Sequence, residues 1–457
     1  MEIKKVGTIE FIMIFLGILI PVLITTSFGE TSPLALKYDS VITYINSEGN
    51  GKIAIKFLEP SAPRYGDETG ILLTVGGFMT PGASSKFNLE IPAAENGLVA
   101  VSFLWPGSRD NIEKVQSDGV FDYGGKNCIK ALSDVVLFLA GKKKDINGKY
   151  VTDILKTKVN TSNLGLHAFS HPGIAVVQFL ANYPESAKYV SYFVGGENPT
   201  IDKVTAVEVG HYVQNGEKRI PVENPMYSYP QDYSLNDLSV DYSLIRYDDK
   251  SGIPYFDLDK NNHLSSKDFQ LEKRRPSIFE KYIYSYDLLS ALVENGELSE
   301  SDWPENWATP EQAKMWWKDR STANQFEKIS EYYYSLHIML VFGRLDHVQT
   351  AKDKPHIHQM FEGFHDIAGI GWIKLNPDRS YLEYIYNIVP NSENVSNRPL
   401  KYAEHPANSQ PSNWMDIIRW SVPNTPHVSW AVVAGIVEMA DRTQHNNWSE
   451  DISSTLK

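Results

Sequence analysis

The chain contains 457 residues, of which 42% are hydrophobic and 22% are charged. These proportions are ordinary for globular proteins and exclude a fibrous or wholly disordered chain. With 43 basic and 56 acidic side chains, the formal net charge is −13, which argues against nucleic acid and against an anionic membrane surface as partners, because both attract basic faces. The single cysteine, Cys128, excludes an intramolecular disulfide and a cysteine-based zinc site.

The N-terminus has the form of a secretory signal peptide. Lys4 and Lys5 precede an apolar stretch at residues 11–24, which is shorter than the roughly 20 residues that span a bilayer. Small residues follow at the positions that a signal peptidase recognises before its cleavage site. Residues 1–29 are therefore predicted to be a signal peptide or an uncleaved anchor through residues 11–24. Either prediction places the rest of the chain outside the cytoplasm, secreted or at the cell surface, with no other membrane contact expected.

Short apolar strands alternate with helical patterns over the first 200 residues. The predicted strands are 41–44, 52–58, 71–75, 98–104, 164–169 and 189–194, and the predicted helices are 127–140 and 174–183. Continuous apolar strands that alternate with helices are typical of a parallel sheet covered on both faces. The sequence therefore predicts an α/β fold with a mostly parallel sheet.

The alternation stops near residue 200 and resumes near residue 331. Residues 201–330 are rich in Tyr, Pro, Asp and Asn, and they are predicted to be an insertion or cap. The core then comprises residues 30–200 and 331–445, followed by a tail at 446–457. Within its second part the core has a predicted strand at 336–342 and predicted helices at 355–367 and 428–440.

A serine lies where a predicted strand meets a predicted helix. Ser170 follows the strand at 164–169 and precedes Pro172, which suits the first position of a helix. Such a turn exposes the serine hydroxyl at the carboxyl edge of the sheet, beside the N–H of His171, where the helix N-terminus favours a developing oxyanion. The literal G-x-S-x-G motif is absent, because Ala168 and Pro172 occupy its glycine positions. A serine that only caps the helix is the alternative interpretation.

Three further features lie where a serine nucleophile needs partners. Gly77 or Phe78, after the strand at 71–75, could supply a second N–H to an oxyanion. Asp346 follows a late strand and could orient a catalytic histidine. His427 precedes the last predicted helix and completes the chain order serine, aspartate, histidine.

At these positions the chain resembles the α/β-hydrolase family over about residues 40–200 and 331–442. The resemblance implies that Ser170 forms an acyl-enzyme, that His427 acts as general base and acid, and that Asp346 holds the histidine. The overall layout is similar to the secreted esterase, dienelactone hydrolase and prolyl oligopeptidase branches. It implies an α/β-hydrolase-like sheet with helices on both faces, interrupted by the insertion.

The predicted function is that of an extracytoplasmic serine hydrolase without an organic cofactor, which cleaves an ester or peptide bond of a small-molecule or peptide substrate. Two members of the triad have alternatives. His405, in a loop rich in Pro and Asn, is the alternative histidine, and Glu197, after the strand at 189–194, is the alternative acid. The competing function is that of a non-catalytic calcium-binding surface protein on a hydrolase-like scaffold.

A second motif, at residues 257–268, has oxygen-bearing residues at the spacing of an EF-hand-type calcium loop. The predicted ligands are Asp257, Asp259, Asn261, the carbonyl of His263, Ser265 through a water, and Asp268. Asn262 replaces the usual glycine at loop position 6, and Asp268 replaces the usual glutamate at position 12, so the loop resembles those of dockerin modules. The prediction is one structural calcium that orders the insertion, and an acidic turn without a metal is the alternative.

Overall fold

A computed structural model describes the chain from Tyr38 to Trp448 with internal gaps. The described residues are 38–77, 86–89, 91–200, 204–216, 218–228, 239–272, 281–332, 335–343, 346–388 and 428–448. The predicted signal peptide lies outside them, so that prediction is not tested. Within the described ranges, no helix combines the length and the hydropathy needed to cross a membrane.

Strands and helices alternate along most of the described chain. The strands are β1 Asp39–Ser47, β2 Gly51–Glu59, β3 Glu68–Val75, β4 Val99–Phe103, β5 Arg109–Asp110, β6 Val115–Gln116, β7 Lys158–Phe169, β8 Tyr192–Gly196, β9 Gly210–Asn215, β10 Lys218–Glu223, β11 Ile245–Asp248, β12 Ile253–Phe256, β13 Phe269–Gln270, β14 His337–Val341 and β15 Ile373–Leu375. The helices are α1 Lys126–Leu139, α2 Val151–Ile154, α3 Pro172–Asn182, α4 Pro184–Ala187, α5 Ala206–Val209, α6 Tyr286–Glu294, α7 Pro310–Arg320, α8 Ala323–Ser330, α9 Pro355–Glu362, α10 Arg379–Ile388 and α11 Val428–His445. A π-helical turn, Gly363–Ile367, extends α9.

Eight strands form the central sheet, in the order β1-β2-β4-β3-β7-β8-β14-β15. The pairs β1–β2 and β2–β4 are antiparallel, and all the other neighbouring pairs of this sheet are parallel. Parallel strands place their carboxyl ends at one edge, which is where open α/β sheets bind ligands. The residues that follow β3, β7, β8 and β14 therefore meet at that edge.

Helices cover both faces of this sheet, because its strands are apolar on both sides. In β3, Ile71 and Leu73 are buried in one hydrophobic cluster together with residues of α1 and α3, whereas Leu72 is buried in a second cluster with residues of α11. Side chains that alternate along a strand point to opposite faces. The predicted fold class, an α/β-hydrolase-like, mostly parallel sheet with helices on both faces, is confirmed.

The segment between β8 and β14 leaves the sheet, although these two strands are neighbours in it. It forms the hairpin β9–β10, the small sheet β11–β12–β13 and the helices α6 to α8. Its helices pack directly on the core: a Cβ placed on Gly363 would lie 2.3 Å from the Phe326 ring of α8. Arg320 of α7 also donates to the carbonyl oxygens of Asp122 and Tyr123, at 2.8 and 2.9 Å. The insertion therefore shares an interface with the helical layer over the sheet.

Candidate active site

Ser170 lies in the sharp turn that joins β7 to α3. Its φ of 62° is in the left-handed region, which non-glycine residues rarely adopt. The Ser170 N–H donates to the carbonyl of Gly196 at 2.7 Å, and the Gly173 N–H donates to the carbonyl of Ser170 at 3.0 Å. Pro172 begins α3. This is the strand–turn–helix setting that the sequence predicts, and it raises the serine hydroxyl above the sheet edge.

The Ser170 hydroxyl lies against His347, the residue that follows Asp346. The distance from Ser170 Oγ to His347 Nε2 is 2.9 Å, and on the far side of the ring His347 Nδ1 lies 2.7 Å from Glu197 Oε2. An ionised carboxylate only accepts hydrogen bonds, so the ring carries its hydrogen on Nδ1 and accepts the serine proton at Nε2. Ser170, His347 and Glu197 thus form one hydrogen-bonded chain with the polarity that a nucleophile and its general base require.

Glu197 is buried directly after β8, and its position is fixed by the backbone around it. Its φ of 45° is a second left-handed conformation at the same sheet edge. Its Oε1 accepts the Gly343 N–H at 3.2 Å, and its Oε2 accepts the His347 N–H at 3.1 Å. Burial and the neighbouring Asp346 raise the pKa of Glu197, while the hydrogen bonds of His347 oppose that rise.

Asp346, the acid assigned to the triad from the sequence, makes a weaker contact with His347. Its Oδ1 lies 3.4 Å from His347 Nδ1 and accepts two backbone N–H groups of its own loop, both at 2.7 Å. Its Oδ2 lies 3.0 Å from His356 Nε2. Burial opposes the charged form, but His356, His347 and Lys354 hold the pKa of Asp346 well below its usual range. Asp346 therefore shapes the loop and adds a second negative charge beside the His347 ring.

The two acids determine how basic His347 is. Burial alone would lower the pKa of His347, but the hydrogen bond to Glu197 and the charge of Asp346 outweigh it and raise the pKa. A histidine between a hydroxyl and two carboxylates is a stronger base than one in water. The site is therefore suited to withdrawing a proton from Ser170.

Groups that could stabilise an oxyanion lie next to the serine. His171 follows Ser170 at the start of α3. Gly77 follows β3, which pairs with β7 so that Val75 lies opposite Ala168. The structure thus brings Gly77 to the sheet edge that holds Ser170, whereas Phe78 lies outside the described residues.

His427 and His405, the two histidines proposed from the sequence, also lie outside the described residues. The sequence did not lead to His347, because the expected chain order, with a histidine before the last helix, directed attention to His427. The signal for His347 is a histidine in the loop after β14, immediately beyond Asp346. The alternative acid Glu197, by contrast, is the carboxylate that contacts the site histidine.

A small pocket of about 40 Å³ adjoins Ser170 and His347. Polar and apolar residues both line it, and the apolar members are Pro199, Val204, Ala206, Val209, Val348 and Pro355. Three of them, Val204, Ala206 and Val209, belong to the beginning of the insertion. The insertion therefore supplies one wall of the pocket next to the serine.

The predicted calcium loop joins β12 to β13, two strands of one antiparallel sheet. One carboxylate oxygen from each of Asp257, Asp259 and Asp268 lies within 4.8 Å of the other two. Asn262 has a φ of 60°, the conformation that glycine usually supplies at this loop position. A set of carboxylate oxygens suits a hard cation such as calcium. Calcium binding itself stays a prediction.

Comparisons with known proteins extend only to the fold. No protein-family model matches the chain, and no curated protein matches it either. Among solved structures, an esterase of Pyrococcus furiosus shares 11% identity over 76% of this chain and 84% of its own, with a TM-score of 0.34. An esterase of Pyrobaculum calidifontis shares 15% identity over 37% of this chain and 49% of its own, with a TM-score of 0.25.

A puromycin-hydrolysing peptidase of Mycobacterium tuberculosis shares 9% identity over 76% of this chain, with a TM-score of 0.35. The match spans only 36% of that longer chain. At such identities the fold assignment depends on the order and direction of this chain's own strands. The chain has a hydrolase-like fold of the α/β-hydrolase type, with a serine, a histidine and two acids at the carboxyl edge of its sheet.

Proposed function

We propose that the protein is an extracytoplasmic serine hydrolase that cleaves an ester or peptide bond through an acyl-enzyme. Ser170 is the nucleophile, His347 the general base and acid, and Glu197 the acid that orients the histidine. The observation that carries the proposal is the unbroken chain of hydrogen bonds from Glu197 through His347 to the Ser170 hydroxyl, at 2.7 and 2.9 Å. The extracytoplasmic location depends on the predicted leader alone.

The reaction follows from the direction of these bonds. Ser170 Oγ attacks the substrate carbonyl carbon while its proton passes to His347 Nε2, and Glu197 stabilises the resulting imidazolium. The carbonyl oxygen becomes an oxyanion, which the N–H groups of His171 and Gly77 would bind. As the intermediate collapses, Nε2 returns the proton to the leaving alcohol or amine. Water then attacks the acyl-enzyme by the same route and frees the acid.

The pocket beside the serine restricts the substrate. Its small volume and the apolar residues of its wall suit a short aliphatic group and leave little room for a long acyl chain. Each methylene that is buried contributes about 0.8 kcal/mol, but a chain longer than the pocket gains nothing further and must bend into solvent. We therefore propose substrates with a short aliphatic acyl group.

The test compares p-nitrophenyl acetate, butyrate and palmitate as substrates. We expect acetate and butyrate to be hydrolysed with a kcat/KM at least about tenfold above that for palmitate, and Ser170→Ala to lose at least about a thousandfold of this activity. Ser191→Ala is the matched control, because Ser191 lies at the opposite end of β8 and should leave the rate unchanged. Hydrolysis by folded Ser170→Ala at the wild-type rate would refute the proposal.

A further inference from the structure

We propose that Asn198 is a positioning residue that aims the His171 N–H at the substrate oxyanion. Trp105 acts in the same way on the backbone at Gly77. Neither side chain would touch the substrate: each binds the back of a peptide group whose N–H faces the reaction. The inference rests on the proposed hydrolase function and deepens it, because it explains what holds the oxyanion site in place.

Asn198 is buried immediately beyond Glu197, and its amide points at the nucleophile turn. Its Nδ2 donates to the carbonyl of Ser170 at 2.8 Å and also lies 3.0 and 3.2 Å from the carbonyl oxygens of Ala168 and Gly196. The Ser170 carbonyl and the His171 N–H belong to one planar trans peptide group, so they point in opposite directions. A donor that holds the carbonyl therefore fixes the direction of the N–H, away from Asn198.

The position of Asn198 is built into two neighbouring elements. A Cβ on Gly173 of α3 would lie 2.3 Å from the Asn198 amide carbon, and a Cβ on Gly195 of β8 would lie 2.2 Å from its Oδ1. Only glycine leaves room for the amide at both places. The side chain is therefore confined between the nucleophile helix and the strand that precedes Glu197.

Trp105 holds the other side of the site. It is buried two residues after β4, and its Nε1 lies 3.0 Å from the Gly77 carbonyl oxygen and 3.4 Å from the Gly76 carbonyl oxygen. The Gly76 carbonyl and the Gly77 N–H belong to one planar trans peptide group, so the 3.4 Å bond from Trp105 to Gly76 holds the Gly77 N–H pointing away from the indole. Since β4 and β7 flank β3 on opposite sides, we infer that the Gly77 N–H faces the β7 side of the sheet edge, where Ser170 lies.

The side chains of Asn198 and Trp105 thus orient the two oxyanion N–H groups before the substrate binds. Preorganised N–H groups stabilise a developing charge without having to reorient, and loss of one oxyanion donor costs about 10²–10³ in kcat. An oxyanion N–H that is still present but no longer held in its direction should lower kcat by less than the loss of that N–H would. We expect a loss of about 10- to 100-fold in kcat from removing either side-chain support, with KM changed less than about twofold.

The experiment measures kcat, KM and the affinity for a trifluoromethyl ketone, which forms a stable oxyanion adduct with a serine. The variants are Asn198→Ala and Trp105→Phe. Their matched controls are Asn163→Ala and Trp317→Phe, which remove buried N–H donors bonded to the carbonyls of Ala440 and Tyr284, at 2.9 and 2.8 Å, away from the site. The expected result is a parallel fall in kcat and in ketone affinity for the test variants only.

Equal kcat values in the test and control variants, at matched melting temperatures, would overturn the inference. Hydrolysis by the wild type in the same experiment would still support the proposed function. A rise in KM with kcat unchanged would also overturn it. Should Asn198→Ala fail to fold, Asn198→Leu takes its place, since leucine keeps the approximate size of the side chain and also removes the Nδ2 donor. Wild-type protein without hydrolysis would refute the proposed function and this inference together.

Discussion

At the scale of single residues, the site is assembled from two strained backbone positions. Ser170 and Glu197 both have left-handed φ values, 62° and 45°, at the ends of adjacent parallel strands. Such conformations cost on the order of 1–3 kcal/mol each and persist where the surroundings impose them. At Ser170 the surroundings are the bond from Asn198 to its carbonyl and the bond from its N–H to Gly196. At Glu197 they include the bond from its N–H to the Val341 carbonyl, at 2.9 Å. The strain thus coincides with the hydrogen-bonded chain that we propose is catalytic.

The raised pKa of His347 gives a prediction for the pH dependence of kcat/KM. Protonated His347 cannot accept the serine proton, so activity should fall as the pH is lowered, with a midpoint above the ordinary histidine value of about 6.5. Glu197→Gln keeps the size of the side chain but removes its charge. The midpoint should therefore move to lower pH in that variant, along with a loss of rate.

The second acid of the site provides the comparison variant, Asp346→Asn. Asp346 lies 3.4 Å from His347 Nδ1, whereas Glu197 lies 2.7 Å from it, so Asp346 has the weaker hold on the ring. Asp346→Asn should therefore move the midpoint in the same direction by a smaller amount. An acid limb that stays at the same pH in both variants would contradict the assignment of His347 as the base.

At the scale of elements, the parts that depend on local sequence were predictable. The apolar run before Gly76 and the run before Ser170 are strands, β3 and β7, and Pro172 begins the helix that was expected there. These features follow from side-chain periodicity and from the chemistry of proline over a few residues.

The pairing of Glu197 with His347 was not predictable in the same way. The two residues are 150 positions apart and meet only because β8 and β14 are neighbours in the sheet. The small strands β9 to β13 were missed because they are only two to six residues long, which is too short to show a clear alternation of apolar and polar side chains.

The loop between β12 and β13 gives a prediction for calcium removal. If the loop binds calcium with an affinity on the order of 10⁻⁴ M, then calcium at about ten times that concentration should stabilise the fold by about 1.4 kcal/mol. A chelator should therefore lower the melting temperature of the wild type. Asp257→Asn should abolish this response, because it removes one of the three clustered carboxylates.

The matched control is Asp248→Asn, since Asp248 lies in the neighbouring hairpin, where it accepts from Ser251. That variant should keep the response to the chelator. A wild-type melting temperature that the chelator does not change, together with no bound metal in elemental analysis, would refute the calcium prediction.

At the scale of the whole molecule, the insertion is structurally linked to the candidate active site. The chain leaves the sheet just after Glu197 and returns to it through β14, just before His347, so both ends of the insertion adjoin the site. Arg219 of β10 donates to the His347 carbonyl at 3.0 Å, and Val204 and Val209 line the pocket. The segment that was predicted as a cap therefore also supports the histidine loop and shapes the pocket beside Ser170.

The central claim, that Ser170 is a nucleophile activated by His347, is tested most directly with a fluorophosphonate probe and peptide mass spectrometry. We expect stoichiometric labelling of Ser170 in the wild type, none in Ser170→Ala, labelling slowed by at least about a hundredfold in His347→Gln, and labelling at the wild-type rate in His427→Gln. A folded wild type that takes up no probe would show that Ser170 is not an activated nucleophile and would favour a non-catalytic scaffold. Labelling that is lost in His427→Gln and kept in His347→Gln would contradict the assignment of the base.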